Sequence, residues 1–185
     1  MNWSDRLLAA TFLKLLPRRV TANQITIFRF FTVPFIAYFV YRGFYLSTLT
    51  IFAISAFTDA LDGALARTTN RITEWGKMFD PLADKILIGL TTIILVPRYF
   101  GIGLAITILA IDMFLIGSAY FFKNTAGKHI RANWWGKLKM ILQSVGVSIL
   151  LLYAVLNFPV LLLAAQYLLY ASIVFAVISV ITYNL

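Results

Sequence analysis

The sequence contains no cysteine and a single histidine, His129, among its 185 residues. The absence of cysteine excludes disulfide bonds and thiol chemistry. Acidic residues are also few, seven against 16 lysines and arginines, which gives a formal net charge of +9. Hydrophobic residues make up 61% of the chain, well above the share in most soluble domains. The composition therefore indicates an integral membrane protein, whose cations suit anionic lipid head groups and phosphorylated substrates better than nucleic acid.

Long apolar runs separated by short polar loops predict an all-α membrane protein with six spanning helices. The predicted spans are 23–41, 45–67, 77–97, 101–122, 134–156 and 160–183. No internal repeat or linker divides them, so the prediction is a single domain over residues 1–185 with a six-helix bundle from residue 21. Residues 1–20 carry apolar side chains at helical spacing, which predicts an amphipathic helix lying in the membrane interface.

The basic residues are distributed unevenly between the predicted loops. One side of the membrane would carry 12 of them: Arg6, Lys14, Arg18, Arg19, Arg67, Arg71, Lys77, Lys123, Lys128, Arg131, Lys137 and Lys139. Only Arg42 and Arg98 fall on the other side. Because positively charged loops stay in the cytoplasm, the sequence predicts a multi-pass protein of the cell (inner) membrane, with both termini and the acidic segment of residues 59–84 on the cytoplasmic side.

Five of the seven acidic residues lie in the 26 positions from 59 to 84, and four of these are the aspartates Asp59, Asp62, Asp80 and Asp84. On a helix, Asp59 and Asp62 share a face with Gly63, Ala66 and Arg67. Asp80 and Asp84 are four residues apart and share a face of the next helix. Because charges within apolar helices are costly, such a concentration usually marks a functional site.

Four converging carboxylates cannot all stay ionised without a counter-charge. Oxygen ligands of this kind suit Mg²⁺, Mn²⁺ or Ca²⁺, whereas zinc favours histidine or cysteine. Gly63 and Ala66 leave room for a substrate close to the backbone, and the guanidinium of Arg67 suits phosphate oxygens. The pattern therefore predicts a site where two divalent ions hold a pyrophosphate. The competing class is an ion transporter that uses intramembrane carboxylates, but those acids would be expected on several separate spans near the bilayer centre.

The pattern D-x2-D-G-x2-A-R-x8-G-x3-D-x3-D resembles the signature of the CDP-alcohol phosphotransferases. All eight fixed positions match: Asp59, Asp62, Gly63, Ala66, Arg67, Gly76, Asp80 and Asp84. The resemblance implies a six-span enzyme with an N-terminal interfacial helix, usually a homodimer. Members displace CMP from a CDP-linked lipid or alcohol with the hydroxyl group of a second substrate.

The resemblance also implies roles for individual residues. Asp59, Asp62 and Asp80 would hold one Mg²⁺ or Mn²⁺ ion. Asp59, Asp80 and Asp84 would hold or approach a second ion, and Asp84 would be the general base. The residues implied to lie at the CDP group are Asn23, Gly63, Arg67, Thr73 and Gly76.

The acceptor is suggested by a second segment. Residues 135–140, Trp-Gly-Lys-Leu-Lys-Met, with Gln143 three residues further on, resemble the G-K-x-K-T segment of phosphatidylglycerophosphate synthases and their cardiolipin-synthase-like relatives, which is also followed by a glutamine. The cations implied to bind the phosphate of glycerol 3-phosphate are Lys123, Lys128, Arg131, Lys137 and Lys139. Two positions depart from that subfamily: Met140 replaces a threonine, and Ile111 precedes Asp112 where an arginine is usual. An inositol phosphate, phosphatidylglycerol or another polyol therefore stays open as acceptor.

Asp112 is predicted to pair with Arg29 or Lys85.

Overall fold

In the computed structural model the described residues, 22–69, 74–126 and 134–183, form six α-helices. Side chains are described for residues 27, 29–58, 82–118 and 134–182. The helices are α1 (Ala22–Arg42), α2 (Tyr45–Thr69), α3 (Glu74–Phe100), α4 (Ile102–Ala126), α5 (Trp134–Leu156) and α6 (Pro159–Tyr183). The interfacial helix predicted over residues 1–20 lies outside the described residues.

Each predicted span corresponds to one of these helices, with ends that differ by a few residues. Within the described part of the chain, α5 and the segment Pro159–Thr182 of α6 are long and apolar enough to cross a membrane. Shorter apolar segments occupy Tyr45–Thr58 and Ile102–Ser118. The fold is therefore all-helical, as predicted, and a crossing by all six helices stays a prediction.

The turn between α1 and α2 is a Schellman motif. Gly43 takes a positive φ of 76°, which glycine adopts without a steric penalty. Its amide donates to the carbonyl of Val40 at 3.1 Å, and the amide of Phe44 donates to that of Phe39 at 2.9 Å. The rings of Phe39 and Phe44 also meet edge to face, 6.2 Å apart, which supplies the apolar contact typical of this motif.

Asn157 ends α5 in the same left-handed region, with a φ of 56°. Its amide donates to the carbonyl of Tyr153 at 2.8 Å, the single bond of an αL cap. Pro159 then occupies the first position of α6, where the missing amide hydrogen costs nothing. Residues 157–159, which lie between the fifth and sixth predicted spans, thus form the tight turn that joins the two helices.

The chain divides into two compact units, Met1–Leu87 and Ile88–Leu185, with the boundary inside α3. In the first unit α1 packs on α2, around buried residues that include Val33, Ile36, Val40 and Phe52. In the second unit α6 packs on α5 and on α4, around residues that include Val147, Leu150, Leu151 and Leu169. The prediction of one domain over the whole chain stays a prediction.

Close approach of α5 and α6 depends on Gly146. A Cβ atom added there would lie 3.2 Å from the side chain of Leu169 and 3.3 Å from the Cβ of Leu168. Leu169 is fully buried, so it has little room to withdraw. Gly146 therefore sets the separation of the two helices at this level.

We expect Gly146→Ala to lower the free energy of unfolding by about 1–3 kcal/mol, the usual cost of overpacking. The matched control is Gly103→Ala in α4, where an added Cβ would meet nothing within 4 Å. The control should be neutral or slightly stabilising, because alanine favours helix by about 0.5–1 kcal/mol. Thermal melting of the detergent-solubilised variants tests the difference, and equal melting temperatures would contradict it.

Candidate active site

The carboxylate motif lies on two consecutive helices. Asp59 and Asp62 fall within α2, and Asp80 and Asp84 fall within α3. The helical spacing from which their shared faces were predicted therefore holds for the backbone of both segments. Several predicted site residues have side chains outside the described part: Asn23, Asp59, Asp62, Gly63, Arg67, Gly76 and Asp80. Thr73 lies outside the described residues altogether.

Asp84, the predicted general base, has a described side chain. Its Oδ1 accepts a hydrogen bond from Nη1 of Arg29 in α1 at 2.8 Å. The Arg29 side chain is fully buried, whereas 31% of the Asp84 side chain is exposed. The buried guanidinium thus holds a partly accessible carboxylate on the helix that carries the end of the motif.

Arg29 lies in a buried polar strip between α1 and α2. The hydroxyl of Thr32 donates to the carbonyl of Arg29 at 2.8 Å and lies 3.4 Å from the hydroxyl of Ser55. Thr32 and Ser55 are both buried. These contacts fix the turn of α1 that carries Arg29, and with it the position from which the guanidinium reaches Asp84.

Sequence reasoning did not include Arg29 among the site residues. The signal was present, because Arg29 is the one cation inside the first predicted span. A charge in such a position almost always pairs with another buried or intramembrane group. The sequence alone could not tell which of the aspartates it meets, since that depends on how α1 packs.

Of the five residues predicted to bind the acceptor phosphate, two have side chains that the structure describes. Lys137 and Lys139 lie in the first turns of α5, where Lys137 is exposed and Lys139 is buried. The side chain of Lys123, at the end of α4, and the residues Lys128 and Arg131 lie outside the described part.

Lys139 is already engaged by an acid. Its Nζ donates to Oδ1 of Asp112 in α4, and Nε2 of Gln143 donates to Oδ2 of the same carboxylate at 3.2 Å. The partner predicted for Asp112 was Arg29 or Lys85, and that prediction is wrong. Arg29 pairs with Asp84 instead, and Asp112 accepts hydrogen bonds from Lys139 and Gln143 of α5.

The all-helical fold and its long apolar segments define a helical membrane protein that carries a carboxylate motif on two consecutive helices. The chain belongs to the CDP-alcohol phosphatidyltransferase family, whose model matches residues 19–179. The family predicted from the motif is therefore confirmed. Members of this family are membrane-embedded and generally depend on a divalent metal.

Three proteins to which the chain is similar carry the name CDP-diacylglycerol–glycerol-3-phosphate 3-phosphatidyltransferase. One from Rickettsia typhi is 32% identical over 133 residues, covering 70% of this chain and 75% of the relative. One from Bacillus subtilis is 29% identical over 178 residues, covering 89% and 90%. One from Salmonella choleraesuis is 31% identical over 135 residues, covering 69% and 74%.

We expect Arg29 and Asp84 to be energetically coupled. Arg29→Met and Asp84→Ala should each lower the melting temperature in detergent, and the double variant should lose less than the sum. Contacting charged pairs typically show coupling energies of about 0.5–3 kcal/mol.

The matched control cycle pairs Asp84→Ala with Lys85→Met. Adjacent helical residues do not face each other, so these two substitutions should be additive. Additive losses for Arg29 and Asp84 as well would show that the ion pair does not connect α1 to α3.

Proposed function

We propose that this chain transfers the phosphatidyl group of CDP-diacylglycerol to the hydroxyl of glycerol 3-phosphate and releases CMP. Membership of the family and the shared name of its relatives support the reaction class and the acceptor. The observation that carries the proposal is the contact between Arg29 and Asp84, which leaves a positioned, partly exposed carboxylate at the end of the motif.

The reaction needs a base and a leaving group. Asp84 accepts the proton of the acceptor hydroxyl as the oxygen attacks the lipid-side phosphorus of the pyrophosphate. The new phosphorus–oxygen bond forms as the bond to CMP breaks, and CMP leaves with its electron pair. Arg29 keeps the Asp84 carboxylate oriented, because a charge-assisted bond to a buried guanidinium restricts its rotamers.

The donor set suits a hard divalent cation. The motif offers only carboxylate oxygens, the ligands preferred by Mg²⁺ and Mn²⁺. A carboxylate has about four acceptor positions, so the hydrogen bond from Arg29 to Oδ1 does not occupy all the acceptor positions of Asp84. In this proposal Asp59, Asp62, Asp80 and Asp84 would hold two ions, which would neutralise the charge of the pyrophosphate. The residues that contact the CDP group are Asn23, Gly63, Arg67, Thr73 and Gly76.

The membrane arrangement follows from the chemistry of the two substrates. The donor is a lipid and the acceptor is soluble in water, so the reaction belongs at the boundary between bilayer and cytoplasm. The proposal therefore includes six crossing helices, an interfacial helix before residue 21, and both termini in the cytoplasm. It also includes a homodimer, adopted from the family resemblance.

We expect purified protein to release CMP from CDP-diacylglycerol in the presence of glycerol 3-phosphate and Mg²⁺. Asp84→Asn should lower the turnover number by about 10²–10⁴-fold, the usual contribution of a general base. Lys85→Gln, at the neighbouring position, controls for effects of charge and expression. An Asp84→Asn variant that keeps most of its turnover would refute the assignment of the base.

The same assay should be run with inositol 1-phosphate and with phosphatidylglycerol as acceptors. We expect CMP release to require glycerol 3-phosphate. CMP release with only one of the other acceptors would show that the acceptor is assigned wrongly, whereas the reaction class would stand.

We expect chelation with EDTA to abolish CMP release, and Mg²⁺ or Mn²⁺ to restore it. Zn²⁺ should restore it poorly, because a site made only of carboxylates lacks the nitrogen and sulfur ligands that zinc favours. Unchanged turnover in excess chelator would contradict the proposed metal centre.

A further inference from the structure

The ion pair between α1 and α3 lies within one compact unit of the chain. Arg29 and Asp84 both belong to the unit Met1–Leu87, and their side chains meet at 2.8 Å. The two partners are buried unequally, because the Arg29 side chain is 0% exposed and the Asp84 side chain is 31% exposed. A further ligand of this carboxylate would therefore have to share it with a cation that is already in place.

The position of Arg29 is fixed by the helices around it. The hydroxyl of Thr32 donates to the carbonyl of Arg29, so in the 3.4 Å contact between the two hydroxyls Ser55 of α2 is the donor to Thr32. A guanidinium stays charged at any pH that proteins tolerate, and moving it away from its carboxylate would leave a buried charge without a partner. The positive charge beside Asp84 is therefore a permanent part of the fold.

This charge has two opposite effects on the acidic centre. The motif places four aspartates on α2 and α3, of which Asp84 is the last, and neighbouring carboxylates repel one another when no counter-charge is present. Arg29 supplies a counter-charge that does not depend on ions from solution. The same charge repels any divalent cation that binds to Asp84, and the repulsion is weakly screened because the guanidinium is buried.

We propose that Arg29 is a built-in counter-ion, which stabilises the ion-free centre and lowers its affinity for divalent cations. The inference rests on the carboxylate centre of the proposed function and adds a role to the orientation of Asp84. Orientation alone predicts the opposite sign, because an arginine that only fixed a ligand would strengthen ion binding. The charge is the larger effect, since an aspartate side chain is short and loses little entropy when fixed, whereas the Coulomb energy scales with the divalent charge.

The first test measures ion binding without any substrate. The purified protein in detergent is titrated with Mn²⁺, and the unbound ion is followed by electron paramagnetic resonance to obtain a dissociation constant. The variants are Arg29→Met, Arg29→Lys and Lys85→Met. Lys85 is next to Asp84 and exposed, so Lys85→Met is the matched control for the loss of one positive charge.

We expect Arg29→Met to tighten Mn²⁺ binding by about 5–150-fold, the usual range for coupling between two binding events. Arg29→Lys should stay close to the parent protein, because lysine keeps the positive charge. Lys85→Met should also stay close to the parent, because a charge in water is screened.

The second test compares melting temperatures in EDTA and in Mg²⁺. Arg29→Met should melt well below the parent in EDTA, and Mg²⁺ should close most of that gap, because bound ions then replace the missing counter-charge. Thr32→Val is the matched control without a change of charge, since Thr32 is buried in the same turn of α1. Its loss should be the same in both conditions.

A variant Arg29→Met that folds only in Mg²⁺ would support the inference, and one that folds in neither condition would overturn it. Equal or weaker Mn²⁺ binding by Arg29→Met, or a gap in melting temperature that Mg²⁺ leaves unchanged, would also overturn it. If the parent releases CMP, those results leave the proposed function intact.

The proposed function can fail separately. A parent protein that releases no CMP with any acceptor, but whose Mn²⁺ affinity depends on Arg29 as expected, would refute the proposed function and support the inference. A parent protein that binds no Mn²⁺ would overturn both the inference and the proposed metal centre.

Discussion

Neutralisation of charges buried among apolar helices is the constraint on which this structure depends. Arg29 is fully buried and meets Asp84, which projects from another helix. Lys139 is nearly buried and meets Asp112, again from another helix. Exposed ion pairs contribute little to stability, but removing one partner of a buried pair is strongly unfavourable. Each pair therefore penalises arrangements of its helices that would separate the charges, and so helps to select the native one.

The same constraint connects folding to chemistry in the first unit. The contact that neutralises Arg29 also sets the orientation of Asp84, the last aspartate of the motif. Thr32 and Ser55 give the strip beside Arg29 further polar contacts, so the arginine is positioned by α1 and α2 together. Arg29, which lies 55 positions from Asp84 in sequence, thus helps to orient the carboxylate that we propose as the general base. In this ion pair the Arg29 side chain is buried, whereas the Asp84 carboxylate remains partly exposed.

The helices could be predicted from the sequence because their signals are local. Apolar runs predicted their extents, and Gly43 and Asn157 end two of the helices with the left-handed caps that these residues favour. The family could be predicted because eight residues at fixed spacing are a specific signal. The partners of Asp84 and Asp112 could not, since a lone intramembrane cation shows that a pair is needed but not which helix supplies it. The burial of Lys139 was hidden for a similar reason: a basic segment at a helix start is usually exposed.

The pairing of Asp112 also bears on the arginine that this chain lacks. In the subfamily that the sequence resembles, an arginine usually precedes this acid, and Ile111 in its place weakened the assignment of glycerol 3-phosphate as the acceptor. Lys139 and Gln143 are the hydrogen-bond partners of Asp112, so the carboxylate does not need an arginine at position 111 as a partner. Positive charge for a phosphate remains available on α5, because Lys137 is exposed beside the buried pair. The missing arginine therefore does not by itself exclude glycerol 3-phosphate as the acceptor.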